Sequence, residues 1–293
     1  VSVVVPARNS AAQLPALLAS LDAQSFPREG FEIVVVDNGS RDGTAAVAAR
    51  AGAIVLTEPR PSRARARNLG VEAANGNLIA FIDADCIAEP DWLESLVGCL
   101  SRSPLAAGPV RVTTSAAASR LERLDALWRF RELERNVKDE GWAVTANLGI
   151  RRDAFEAVDG FDASFAHIGE DFDLCVRCAA AGSGLAWCEE AVVVHPAEAS
   201  LRALLRRAFE HGYSEDQVAR VHGRPGGGQW RHPGPLLRGN WALERLGVEV
   251  ASVPPDDRRR LLLLARLEYG SRMAGSAWAA ARLRRSAASG AGS

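Results

Sequence analysis

Lysine is nearly absent from this chain: Lys138 is the single one, and arginine supplies the rest of its 35 basic residues. Genome composition accounts for such usage as readily as function does, so arginine richness alone names no partner. Long apolar runs are missing too, and none approaches the roughly 18 residues that a membrane span needs. Glycine-rich phosphate loops are also lacking. No Gly-x-Gly-x-x-Gly follows the first strand-like run, Val1 to Val5, and there is no Walker loop. A pyrophosphate therefore has no ready cradle of backbone amides. No secretory leader is expected, because Val1 already begins that run, and the native start is left open. Cysteine is scarce: five, an odd number, in 293 residues. That argues for reduced thiols in a cytosol rather than a disulfide framework.

What remains is the composition of a soluble globular enzyme, 47% hydrophobic and 24% charged. The length suits one large α/β domain, or one domain with an appendage. A net charge of -1 gives no reason to expect nucleic acid as a partner. The charge is uneven, however. From Ala197 onward there are 16 Arg against 9 Asp and Glu, so the front is acidic and the tail basic. Such a tail suits a membrane surface, a phosphate-bearing acceptor or a protein partner.

The most informative stretch runs from Leu78 to Cys86. Five apolar residues, Leu78-Ile79-Ala80-Phe81-Ile82, lead into Asp83-Ala84-Asp85. A short apolar run with β-branched and aromatic members reads as a buried strand. Both carboxylates then fall at its C-terminal end, where open α/β sheets bind ligands. Two carboxylates held together repel unless a cation or strong donors lie between them. Hard oxygen ligands suit Mg²⁺ or Mn²⁺, which commonly bridge to phosphates. The stretch is thus a candidate divalent-metal site for a nucleotide diphosphate. A plain strand ending in a polar turn fits the same residues.

The rest of the chain alternates. Strands are expected at 1–5, 31–36, 53–56 and 78–82, with helices at 11–24, 44–51 and 62–74 between them. Alternation at this spacing predicts a mostly parallel, doubly wound sheet. Further helices are expected from Glu89, over Leu121 to Val137 (amphipathic), over Asp153 to Val158 and from Gly169 to Gly182. A strand ends at His195-Pro196, and a basic helix covers 199–221. Gly223 to Pro235 reads as a linker, 257–285 as a long helix with Leu263, Leu267, Ala274 and Trp278 on one face, and the end as a disordered tail.

Seven segments taken together resemble the family 2 glycosyltransferases. They are Val3-Val4-Val5-Pro6-Ala7-Arg8-Asn9, the stretch from Val35-Val36-Asp37-Asn38 to Thr44, Ala66-Arg67-Asn68-Leu69-Gly70, Asp83-Ala84-Asp85, Ala146-Asn147-Leu148-Gly149-Ile150-Arg151-Arg152, Gly160-Phe161-Asp162 and Gly169-Glu170-Asp171-Phe172-Asp173-Leu174. The resemblance covers roughly residues 1–210 and leaves the last eighty unmatched. It implies a GT-A fold, a Rossmann-like and mostly parallel sheet flanked by helices, with a helical C-terminal extension. Residues 1–196 would be the catalytic domain, its nucleotide-sugar half about 1–100 and its acceptor half about 101–196, and 197–293 the extension.

By resemblance, a sugar would pass from a nucleotide diphosphate, with a UDP-sugar favoured, to an acceptor hydroxyl, with inversion as the main reading and retention, which GT-A enzymes also use, left open by the motifs. Pro6, Ala7, Arg8 and Asn9 would contact the nucleoside, Asp37 beside Asn38 the base, and Arg67 the base or a phosphate. Asp83 and Ala84 would lie near the ribose, with Asp85 and His195 on Mn²⁺ or Mg²⁺. Asn147 and Glu170 would face the acceptor, and Asp171 would be the general base, kept ionised by its place in the first turn of a helix. Position 8 departs from the family, in which an aromatic is frequent. An arginine there can stack as a cation over a base.

Each residue also has a plainer role. Asp37 can cap a turn, Arg63 and Arg65 can be solvated, and His195 can be satisfied by backbone at a strand end. Asp173 and Arg177 pair at helical spacing, and Cys175-x-x-Cys178 lacks a second ligand pair for zinc. Two other functions share the topology. A sugar-nucleotide pyrophosphorylase would need a glycine-bearing loop after strand one, and Ala7 to Ala12 has none. A non-catalytic nucleotide-sugar binder would show a damaged acid set, whereas Asp37, Asp83, Asp85 and Asp171 are all present. The cysteine usage points to the cytoplasm, and the basic tail and C-terminal helices to contact with the inner membrane face or to a homodimer.

Overall fold

A computed structural model describes residues 1–165, 168–223, 262–264 and 266–279. The expected linker beyond Gly223 and the tail after Arg285 lie outside these described residues. Among these, Val1–Thr113, 132–165 and Glu170–Pro196 form one compact unit, and Thr114–Arg131, 168–169 and the described residues from Ala197 onward form a second.

The first unit opens with β1 (Ser2–Ala7), α1 (Leu14–Asp22), β2 (Glu32–Asp37), α2 (Thr44–Arg50), β3 (Ile54–Thr57), α3 (Arg63–Ala73) and β4 (Leu78–Ile82). β5 (Ile87–Ala88), α4 (Trp92–Leu100), β6 (Leu105–Ala107) and β7 (Val110–Thr113) follow. In the second unit α5 (Arg120–Trp128) comes next. The first unit resumes with α6 (Leu133–Arg135), β8 (Asn147–Arg151), α7 (Arg152–Glu156), α8 (Glu170–Ala180), β9 (Leu185–Trp187) and β10 (Val193–Pro196), and α9 (Leu201–Val221) belongs to the second.

Seven strands make the main sheet in the order β3-β2-β1-β4-β8-β6-β9. β1 is parallel to both β2 and β4. β8 runs antiparallel to β4 and β6. The valines of β1 and β2 are buried on both faces, as a parallel strand between helices requires. Leu14, Leu17, Leu18 and Leu21 bury one face of α1. At α3 the approach is so close that a Cβ on Gly70 would lie 2.5 Å from Val4 Cγ1. A second sheet, β5-β10-β7, sets β5 antiparallel to β10.

Two expectations fail. The amphipathic stretch Leu121 to Val137 is not one helix: α5 ends at Trp128, and Phe130 takes a left-handed φ of 62° before α6. The expectation of reduced thiols also fails for one pair, since Cys99 and Cys188, 89 residues apart, are disulfide-bonded. The sheet brings them together, with Cys99 near the end of α4 and Cys188 just after β9. Cys86, Cys175 and Cys178 are buried and form no disulfide.

In the second unit a capping box of Ser119 and Glu122 starts α5, and Ser200 caps α9. The buried carboxylate of Asp125 accepts from Arg207 at 2.7 Å and from the Glu198 amide at 2.8 Å. The helix over 266–279 crosses α9 tightly. A Cβ on Gly212 would lie 1.8 Å from the Arg272 carbonyl oxygen, and one on Gly275 2.0 Å from that of Phe209. Leu263, Leu267 and Trp278 remain exposed.

Candidate active site

The strand order turns at β1. β2 and β3 lie on one side of it and β4 on the other, which makes the C-terminal ends of β1 and β4 the position where such sheets bind ligands. Pro6 and Ala7 end β1, with Arg8 exposed beyond them. Asn9 takes a φ of 52°, a region that Asn tolerates better than most residues. It binds the loop after β2, accepting from the Arg41 amide at 2.8 Å and donating its own amide to Ser40 Oγ at 2.9 Å. Asp37 Oδ1 accepts from the Ser40 amide at 2.9 Å, closing a turn. Asn38 is buried. Its side chain donates to the carbonyls of Glu58 (3.2 Å) and Arg60 (2.9 Å) and accepts from the Ser62 amide at 2.9 Å. It therefore holds the loop that leads into α3.

Arg67 does not reach outward as the resemblance implies. Its side chain is 1% exposed, donating to Glu170 Oε1 at 2.6 Å and Asp83 Oδ1 at 3.1 Å. Its guanidinium carbon lies 5.7 Å from the centre of the Phe161 ring. One buried cation thus ties the first carboxylate after β4 to the start of α8. Burial pushes the Asp83 carboxyl up, but Arg67, Arg63 and His195 outweigh it and hold the carboxyl below its usual range.

Asp171 behaves differently from what its helix position alone suggests. Burial, then the charge of Glu170, push its pKa up to about 6. Arg67 and the amides of Phe172 and Thr145 oppose this and lose. The helix terminus does not prevail because Glu170 is an immediate neighbour and much water is excluded. A carboxylate in this state is ionised at neutral pH yet basic enough to accept a proton.

Asp85 and His195 also meet. His195 Nε2 lies 3.5 Å from Asp85 Oδ1, and Nδ1 lies 2.7 Å from the Pro196 carbonyl oxygen. That oxygen can only accept, so Nδ1 carries a proton. Nε2 then faces the Asp85 carboxylate, an arrangement that a cation between the two would suit. Metal-bound histidines commonly donate their other nitrogen to a carbonyl in this way. Sequence reasoning missed Cys86, whose sulfur joins this group: one ligand atom each from Asp85, Cys86 and His195 lie within 4.8 Å of one another. Its only sequence signal is adjacency to Asp85.

Asn147 has a supporting role rather than the acceptor contact expected of it. It is 1% exposed. It accepts from Trp92 Nε1 at 2.8 Å and donates to the carbonyls of Pro109 (3.0 Å) and Ala191 (2.7 Å). Asp173 pairs with Arg177 at 2.6 Å along α8. Burial pushes the Cys175 and Cys178 thiols up to about 12 and about 11, which makes them inert.

Known proteins resemble this chain in sequence and in fold. The chain is 30% identical over 226 residues to glycosyltransferase AglE of Haloferax volcanii, covering 74% of this chain and 73% of that protein. It is 31% identical over 233 residues to the pre-mycofactocin glycosyltransferase of Mycobacterium tuberculosis, and spans about half (48%) of that protein's length. Among solved structures, the mannosyltransferase PcManGT of Pyrobaculum calidifontis, in complex with GDP-Man and Mn²⁺, superposes with a TM-score of 0.62 at 21% identity, over 98% of this chain and 79% of that one. S. aureus TarS 1-349 in complex with UDP-GlcNAc gives 0.56 at 16% identity, over 94% of this chain and 90% of that one. These likenesses make the fold GT-A. The profile of Glycosyl transferase family 2 matches residues 2–159, more than half of the chain, and with the AglE relationship it establishes that this protein is a glycosyltransferase belonging to that family.

Proposed function

We propose that the chain moves a sugar from a nucleotide diphosphate donor to an acceptor hydroxyl with inversion, Asp171 acting as the base. The observation that carries this reading is the Arg67 bridge. It fixes Glu170, and with it Asp171, against Asp83 of the Asp-x-Asp turn. The base of the reaction and the donor site are thereby held in one frame. Asp171 takes the proton of the acceptor hydroxyl as that oxygen attacks the anomeric carbon. The carbon–oxygen bond to the nucleoside diphosphate breaks on the opposite side. Positioned proton transfer of this kind contributes about 10²- to 10⁴-fold. Glu170 Oε2 has no hydrogen-bond partner among the described residues, which leaves it able to orient an acceptor.

Asp85 and His195 would hold the divalent ion, Mn²⁺ or Mg²⁺. The facing acceptor atoms described above fit a cation. When bound, it supplies positive charge for the departing diphosphate. Pro6 to Asn9 and Asp37 would line the nucleoside, with a UDP-sugar as the favoured donor; GDP-Man in PcManGT and UDP-GlcNAc in TarS support a nucleotide sugar. A screen of nucleotide sugars with Mn²⁺ tests this. We expect one donor to be hydrolysed slowly without acceptor, and Asp171→Asn to lower the turnover by about 10²- to 10⁴-fold. Release of pyrophosphate from a nucleoside triphosphate and a sugar 1-phosphate, without sugar transfer, would instead favour the pyrophosphorylase.

No described helix is long and apolar enough to cross a membrane. The exposed Leu263, Leu267 and Trp278 and the arginine-rich tail support a peripheral membrane contact at the cytoplasmic face; a homodimer through the same helix is the other reading.

A further inference from the structure

The disulfide, the buried carboxylates of the second unit and the exposed helix face each lack a feature that names a ligand; the sulfur beside Asp85 does not. We propose that Cys86 is a third protein ligand of the cation, so that the site prefers an ion softer than Mg²⁺. The inference rests on the metal reading of Asp85 and His195 given above.

The register of the second sheet explains why these residues meet. β5 and β10 are antiparallel, with Ala88 opposite Val193 and Ile87 opposite Val194. One more step in the same register sets Cys86 opposite His195. Directly opposed residues of an antiparallel pair project to the same side. The turn between Asp83 and Cys86, closed by the Cys86 amide donating to the Asp83 carbonyl at 3.1 Å, brings Asp85 to the same place. Three ligand atoms within 4.8 Å of one another suit one ion. Bonds of about 2.0 to 2.3 Å place adjacent ligands roughly 3 Å apart and opposed ones roughly 4.5 Å apart.

Burial gives the group a floor and an open rim. Cys86 and His195 are buried and Asp85 is exposed. Protein ligands would come from below and the side, leaving the outer positions to diphosphate oxygens and water. As the sulfur–metal bond forms, the thiol proton leaves to solvent. Thiolate and imidazole favour Zn²⁺, Co²⁺ and, less strongly, Mn²⁺ over Mg²⁺, which binds oxygen. The plain alternative is that Cys86 is a small buried hydrophobe.

Titrating the full chain with Co²⁺ separates these readings from each other and from the metal site itself. Calorimetry reports binding, and near-ultraviolet absorbance reports sulfur-to-cobalt charge transfer. We expect binding accompanied by a charge-transfer band. Cys86→Ser should remove the band and weaken Co²⁺ and Zn²⁺ by at least the order of 10- to 100-fold that loss of even an outer-shell partner costs, while Mg²⁺ binding changes little. Co²⁺ binding that His195→Ala weakens, with no band in the unaltered protein, overturns the role of Cys86 and leaves the metal site standing. A band that survives in Cys86→Ser or Cys86→Ala also overturns it. Absence of any Co²⁺ binding overturns both. The unaltered protein's spectrum decides even where a variant fails to fold.

Discussion

Asp171 owes its chemistry to its neighbours. With its pKa pushed up to about 6 by burial and by Glu170, its active ionised form is lost below that pH. The acid limb of kcat/KM should therefore fall near pH 6, and a limb near pH 4 would remove Glu170 and burial from the account. The stability effect has the opposite sign. A carboxyl with a raised folded pKa contributes stability that is complete below its unfolded value and is lost as pH rises to about 6. Asp171→Asn should accordingly be as stable as the parent at pH 7, or more so, while losing about 10²- to 10⁴-fold in turnover and keeping donor affinity. A variant with normal turnover would place the base elsewhere. Arg67 makes a different prediction. Arg67→Met strands two carboxylates, one of them fully buried, and breaking such a pair costs about 3–5 kcal/mol. Urea unfolding reads this directly, and adding Glu170→Met should restore part of the loss. A cost within error in the single variant would show that the bridge is not maintained in solution.

Elements carry the second unit. The crossing of α9 with the helix over 266–279 depends on two glycines that face opposing carbonyl oxygens. Gly212→Val has no room and should force the helices apart. Limited proteolysis should then cut the C-terminal region much faster while the 1–113 segment stays resistant. Equal resistance in both would mean that the crossing is dispensable. The apolar residues of this helix do not all serve one surface. Tyr269 and Ala279 are buried, whereas Leu267 and Trp278 are exposed, as is Leu263 in the described stretch before them. Replacing Leu263 and Leu267 by Ser should reduce sedimentation with anionic liposomes and leave the fold unchanged, whereas Trp278 also packs on Phe209 and Tyr213 of α9. A shift to half the solution mass without any effect on liposomes would identify a second copy as the partner.

At the scale of the whole molecule, a nucleotide diphosphate and a divalent ion should stabilise each other's binding. No glycine-rich loop follows β1, and the acidic turn after β4 cannot hold a diphosphate without a cation between them. UDP or GDP should raise Tm strongly with Mn²⁺ and hardly at all in excess chelator, following the linkage between ligand affinity and stability. Equal stabilisation in both would exclude a metal-bridged diphosphate.

The sequence by itself determined the alternation of strands and helices in the first half, because buried β-branched runs and leucine stripes are local patterns that burial enforces. It also determined that an acid pair follows β4, and the ordered motifs identified the family. Tertiary structure alone decided which of those polar residues face one another. Arg67 and Glu170 are 103 residues apart, and no local pattern tells an outward arginine from one buried between carboxylates. Asn147 likewise carries the same amide whether it meets a ligand or backbone carbonyls. Cys86 joins His195 through strand register, and Cys99 meets Cys188 only once the sheet has assembled. The inclusion of 114–131 in the second unit has the same cause: an amphipathic pattern records that a face is covered, but not by which part of the chain.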